Sequence, residues 1–217
     1  RDCLLSRGLG DVYKRQILTS LALGKQVDYQ DIYTEGITKI TKTDIEYAKA
    51  LHASIKLLGT SKWEDDGKIY SMVAPFMIDS DHPLGHVNGV FNGIFVNGNM
   101  LGDTMFYGKG AGKLPTASAV VADVVDAVKH QGTNIMTIWE QDKVELGDRA
   151  NFACRFFVRV ADTTSKETIE KVFGEVEYVT LADVSGEYAF LTEKLTEGAF
   201  EEKSKQVDMI MRIRTAL

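Results

Sequence analysis

One stretch constrains this chain more than any other: Phe106-Tyr107-Gly108-Lys109-Gly110-Ala111-Gly112-Lys113-Leu114-Pro115-Thr116-Ala117-Ser118-Ala119. Glycines alternate with other residues, a strand from Asn99 to Tyr107 feeds them, and a helix follows. Pro115 falls in the first turn of that helix, where a proline gives up no amide bond. Behind it Ala117, Val120, Val121, Val124, Ala127 and Val128 recur at helical spacing and make one apolar stripe. Strand, glycine turn and helix start leave backbone amides free to point at an anion. By spacing alone, a tight turn without a ligand explains the glycines as well as close approach by a dinucleotide does. The pattern is not G-x-G-x-x-G, and the acidic residue expected about 20 positions on is missing because the helix continues there. The turn is therefore at most a secondary contact to a nucleotide.

The chain has 217 residues, room for one large domain or two small ones. Its net charge of −6 and the absence of a basic stripe argue against a nucleic-acid partner. No apolar run approaches the ~20 residues that span a bilayer, so no membrane partner is expected. Cys3 and Cys154 lie far apart and outside any metal-ligand spacing, a usage that fits a reducing cytoplasm. His82 and His86 stand at i, i+4, but Pro83 and Gly85 separate them and no third ligand is evident, so no metal is expected.

Residues 1–16 do not read like the rest. Asp11-Val12-Tyr13-Lys14-Arg15-Gln16 looks like a translated transposon end from sequencing libraries, so this segment is set aside as an adapter-derived leader. The natural chain is then truncated, with Ile17 an accidental start. Residues 17–24, apolar on nearly all sides and ending in Gly24, predict the tail of a buried helix. Thr43 and Glu46 form a capping box for a helix with Ile45, Ala48, Leu51, Ile55 and Leu58 on one face, stopped by Gly59. Ile69 to Ile78 is a strand in which Pro75 argues for an edge or a bulge. Val87 to Asn97 and Asn99 to Tyr107 form a hairpin turning at Asn97-Gly98-Asn99. Residues 131–151 are polar and irregular, with a short strand near Asn134 to Gln141. From residue 153 on, strands and helices follow in the order β-α-β-β-α-β, the split βαβ unit of ferredoxin-like domains. The fold class is α/β (α+β): a mixed sheet with helices, then a ferredoxin-like unit.

At this point a family comes into view. Four segments occur in the order and at about the spacing of homoserine dehydrogenases. They are Ile17 to Gly24; Tyr33-Thr34-Glu35-Gly36-Ile37; Asp81-His82-Pro83-Leu84 with Val87-Asn88-Gly89-Val90-Phe91-Asn92; and the glycine stretch with its helix start. Residues 17–131 resemble the catalytic and dimerisation domain of that family in part. Residues 132–152 read as a linker, and residues 153–217 are similar to an ACT regulatory domain.

The resemblance implies an NAD(P)-dependent oxidoreductase that interconverts L-homoserine and L-aspartate 4-semialdehyde, on the route to threonine and methionine. It implies NADP or NAD as cofactor, a small-molecule substrate, an amino-acid effector, a cytoplasmic homodimer or homotetramer, and cofactor contacts at Gly108, Gly110, Ala111, Gly112 and Thr116. The nucleotide-binding Rossmann domain and the catalytic Asp/Lys segment are expected upstream of Ile17. Lys14 falls near the family lysine, but its surroundings differ and the role is not carried over. The ACT loop departs from the family pattern: Ala161-Asp162-Thr163-Thr164-Ser165 keeps the Asp of Asp-x-Pro-Gly and loses Pro and Gly. The second reading is a non-catalytic amino-acid-sensing or dimerisation protein with an ACT domain.

Overall fold

A computed structural model describes residues 3–64, 66–110, 112–133, 136 and 140–216, with side chains from residue 12 onward except that of Gln141. The chain forms two compact units, residues 1–79 with 139–217, and residues 80–138. The first begins with α1 (Cys3–Leu23), β1 (Lys25–Gln26), β2 (Tyr33–Thr34), α2 (Lys42–Ala50), β3 (Ala53–Trp63) and β4 (Ile69–Asp79). The second holds β5 (Phe91–Gly98), β6 (Gly102–Lys109) and α3 (Lys113–Lys129). The first then resumes with β7 (Glu140–Lys143), β8 (Ala153–Ala161), α4 (Lys166–Phe173), β9 (Val176–Val179), β10 (Glu187–Thr192), β11 (Leu195–Thr196), α5 (Glu197–Ser204) and β12 (Met209–Ala216).

The first unit is organised by β4. One edge pairs antiparallel with β3 along its whole length, from Ala53↔Asp79 to Trp63↔Ile69. The other is shared by two parallel neighbours, β2 at Met72 and Val73 and β12 at Phe76 to Ile78. From β12 the mixed sheet runs on through β8, β10 and β9. The order β12-β8-β10-β9, with α4 and α5 as the connecting helices, is the split βαβ arrangement that the sequence predicts. This four-stranded part does not stand apart, because β12 joins it to β4 in one sheet. The packing units thus cut the chain elsewhere than the segments 17–131, 132–152 and 153–217 do.

Successive residues of β8 point to opposite faces. Phe157 packs with Tyr47, Met77 and Ile213 under α2. Phe156 stacks on Phe200 of α5 with ring centroids 4.0 Å apart, and Phe200 meets Phe173 of α4 at 5.7 Å. Both faces are therefore covered, and Ile69 to Ile78 of β4 are buried throughout.

Several local expectations change. The helix predicted over residues 43–58 ends at Ala50, and its cap is Thr41, with Asp44 closing the capping box. His52 turns the chain with φ 57°, after which Ile55 and Leu58 belong to β3. Pro75 is interior: it pairs with Leu57 of β3 on one edge, and on the other it falls between the residues of β4 that pair with β2 and with β12, where neither ladder runs past it. Over residues 17–21 of α1 the covered face is polar: Thr19 and Ser20 are buried, while Ile17 and Leu21 are exposed. Thr19 Oγ1 lies 2.8 Å from Ser61 Oγ, and the Val27 amide donates to Ser20 Oγ at 3.0 Å, so polar pairing selects that face. α1 runs back to Cys3, and Val12 packs into a buried cluster with Val27, Ile32 and Val73. Of the strand expected near 134–141, residues 134, 135 and 137–139 lie outside the described residues; β7 pairs with β1.

Two buried ion clusters tie the C-terminal residues to the segment 33–47. Arg214, with no exposed surface, is held by both Glu197 carboxylate oxygens and donates to Glu35 at 2.7 Å. Arg149 donates to the same Glu197 at 2.8 Å and to Glu201 at 2.6 Å. Arg159 bridges Asp44 and Glu187, each at 2.6 Å, and its Nη1 also reaches Thr41 Oγ1 at 3.2 Å. A buried charge is tolerated only when paired and hydrogen-bonded in this way.

Candidate functional site

The glycine stretch lies in the second unit, where β5 and β6 form a hairpin in register from Phe91↔Lys109 to Gly98↔Gly102. The turn sits at Asn99–Leu101, two residues beyond the predicted Asn97-Gly98-Asn99, with Gly102 taking φ 67° to close it. A positive φ of this kind suits glycine, which has no Cβ to clash. At the other end Gly108 pairs with Asn92, and the Gly110 amide donates to the Val90 carbonyl at 3.3 Å. Gly112, at φ 113°, caps α3 without a side-chain hydrogen bond. The Thr116 amide turns inward to the Gly112 carbonyl at 3.2 Å. Because Pro115 has no amide, the first-turn donors left to a ligand are those of Lys113 and Leu114.

The structure thus brings Gly108, Gly110, Gly112 and Thr116 into one strand-turn-helix; Ala111 lies outside the described residues. Among the described residues, a side chain at Gly108 would meet nothing within 4 Å, so that backbone is open to close approach. Gly110 differs: a Cβ there would run into Asn92 Nδ2. Beside the turn, Phe91 and Tyr107 stack at 4.8 Å with nearly parallel rings, and Lys109 Nζ stands 5.7 Å above Phe91. Nothing in residue spacing pointed to Asn92 as a neighbour of Gly110; the hairpin register is what places it there.

The stripe on α3 is uncovered: Val120, Val121, Val124 and Val128 are each more than half exposed. His82 is engaged locally, its Nδ1 accepting from the Leu84 amide at 3.1 Å and its ring lying 4.8 Å from Phe95. His86, Pro83, Met105 and Tyr107 line a cavity of about 330 Å³.

Glu35, from the Tyr33 to Ile37 motif, belongs to the buried ion cluster of the first unit. Burial pushes its carboxyl up, but the Arg214 hydrogen bond, the charges of Arg212 and Arg214 and the Tyr33 hydroxyl outweigh that and hold it below its ordinary value. Cys154 has its thiol pushed up to about 12, chiefly by burial and then by Glu197, which makes it an inert core residue.

The sequence model of the homoserine dehydrogenase family matches residues 7–125, more than half of the chain. The chain belongs to the homoserine dehydrogenase family. It is 45% identical to the Pseudomonas aeruginosa homoserine dehydrogenase over 122 residues, 56% of this chain and 28% of that protein. It is 35% identical to the Helicobacter pylori homoserine dehydrogenase over 166 residues, 76% of this chain and 39% of that protein. The crystal structure of a homoserine dehydrogenase from Thiobacillus denitrificans superposes with a TM-score of 0.76 at 26% identity, over 94% of this chain and 52% of that one. The chain thus spans from about a quarter to half the length of these homoserine dehydrogenases. The family match begins inside the segment 1–16 and takes in Gly108 to Thr116 and most of α3.

Proposed function

We propose that the protein to which this chain belongs catalyses the NAD- or NADP-dependent interconversion of L-homoserine and L-aspartate 4-semialdehyde, on the way to threonine and methionine. The observation that carries this is the family match across residues 7–125, with the whole glycine turn inside it. The nicotinamide cofactor supplies the hydride chemistry. On this chain, Gly108, Gly110, Ala111, Gly112 and Thr116 are its contact residues. The open backbone at Gly108 and the uncapped start of α3 suit a phosphate-bearing ligand, which needs donors and close approach rather than side chains.

Residues 17–131 form part of the catalytic and dimerisation domain, residues 132–152 the linker, and residues 153–217 an ACT-like domain. The exposed valines of α3 support a further covering surface, and with it a homodimer or homotetramer. The substrate is a small molecule, and the setting is the cytoplasm; among the described residues no helix is long and apolar enough to cross a membrane. The ACT-like loop keeps Asp162, whose amide bonds to Gly186, and Ser165 caps α4 where the family has Pro-Gly.

The test is a steady-state assay of the complete reading frame that carries this chain. Homoserine-dependent reduction of NAD⁺ or NADP⁺ is expected there, and none from the 217 residues by themselves. A complete protein that reduces neither cofactor refutes the assignment.

A further inference from the structure

We propose that Asn92 is a positioning residue for the glycine turn, one that seats Gly110 so that the turn's backbone meets the nicotinamide cofactor in a fixed place. This rests on the cofactor contact proposed above. Asn92 stands on β5 directly opposite Gly108, and its carboxamide fills the space where residue 110 would carry a Cβ. The approach is close along the side chain, with Cγ 3.0 Å from that Cβ position and Nδ2 closer still. Two residues upstream of Asn92, the Val90 carbonyl takes the Gly110 amide at 3.3 Å, so Gly110 is held by the Val90 backbone and walled by the Asn92 side chain. Gly108 shows the contrast: it has the same alternate spacing and, among the described residues, nothing within 4 Å. The two glycines therefore serve different ends, Gly108 leaving space for a ligand and Gly110 leaving space for Asn92. Misplacing a contact by about 1 Å is costly for a site built from backbone groups, and a wall at this point sets that position.

The test uses Asn92→Ala, Gly110→Ala and the double variant in the complete protein, read by direct titration of NADPH fluorescence and by amide hydrogen exchange of the turn. Asn92→Ala is expected to speed exchange of the Gly110 amide and to weaken NADPH binding about tenfold, leaving the homoserine KM nearly unchanged. Gly110→Ala is expected to weaken NADPH binding at least as much. The double variant is expected to bind no worse than Gly110→Ala, since the clash is gone; such non-additivity marks a contacting pair. Unchanged exchange and affinity in Asn92→Ala, or strictly additive losses in the double variant, overturn the role of Asn92 itself. Faster exchange with unchanged NADPH affinity in all three variants overturns the proposal by a separate route, because the cofactor contact at the turn then fails.

Discussion

The two compact units differ in how they use apolar residues. In the first, β4 is buried from Ile69 to Ile78, aromatic rings interlock on both faces of β8, and even arginines are sealed in. In the second, none of the described residues between 80 and 138 is buried, although its helix carries a run of valines. Apolar area removed from water is what offsets the entropy of ordering a chain. The first unit has that area within itself. The second has the pattern of an amphipathic hairpin and helix and lacks a cover, and a large uncovered apolar face marks an interaction surface. The same family sequence thus contains a self-sufficient sheet and a segment whose apolar helix face lies open.

The widest expected difference is in hydrogen exchange. Amides of β8 and β12 are expected to exchange only through global opening, on the order of 5–15 kcal/mol, and those of β5, β6 and α3 through local opening near zero. Equal protection in both units would erase the comparison. Next is the ion cluster: Glu197→Ala leaves the buried Arg214 with Glu35 alone and Arg149 with Glu201 alone, and a broken buried pair costs about 3–5 kcal/mol. A denaturant midpoint close to the parent's would mean that solvent reaches Arg214.

A smaller effect comes from pH. The Glu35 carboxyl sits below its ordinary value of 4.5, so it stabilises the fold above that pH. The contribution is lost as pH falls through the depressed value, and Glu35→Gln is expected to flatten that acid limb of stability measured by urea unfolding. The smallest effect belongs to α3. Val124→Ala is expected to stay within about 0.5 kcal/mol of the parent, as exposed positions do, while Val124→Lys reduces self-association in sedimentation. A large loss on Val124→Ala would show that the stripe is covered within the chain.

The sequence carried the C-terminal β-α-β-β-α-β order because each element there is short, periodic and closed by a local signal, such as Ser165 before α4 and Gly174 after it. Residues 51–58 were misread because Ile55 and Leu58 satisfy a helical period as well as a strand. The choice falls to pairing with β4, residues distant in the chain, and to the break at His52. Pro75 misleads in the same way, since only the partition of one edge between β2 and β12 makes an interior proline acceptable. Of the site, the glycine turn and helix start were legible as a local signal. The wall at Asn92 and the pairing of Glu35 with Arg214, 179 residues apart, come from tertiary register that no local pattern encodes.

The glycine turn is proposed to lie against a nicotinamide nucleotide. A crystal structure of the complete protein with NADP⁺ reads this directly. The expected result is a cofactor phosphate or ribose within hydrogen-bond distance of the backbone between Gly108 and Leu114. A nucleotide fully bound with no atom in contact with that segment would contradict it.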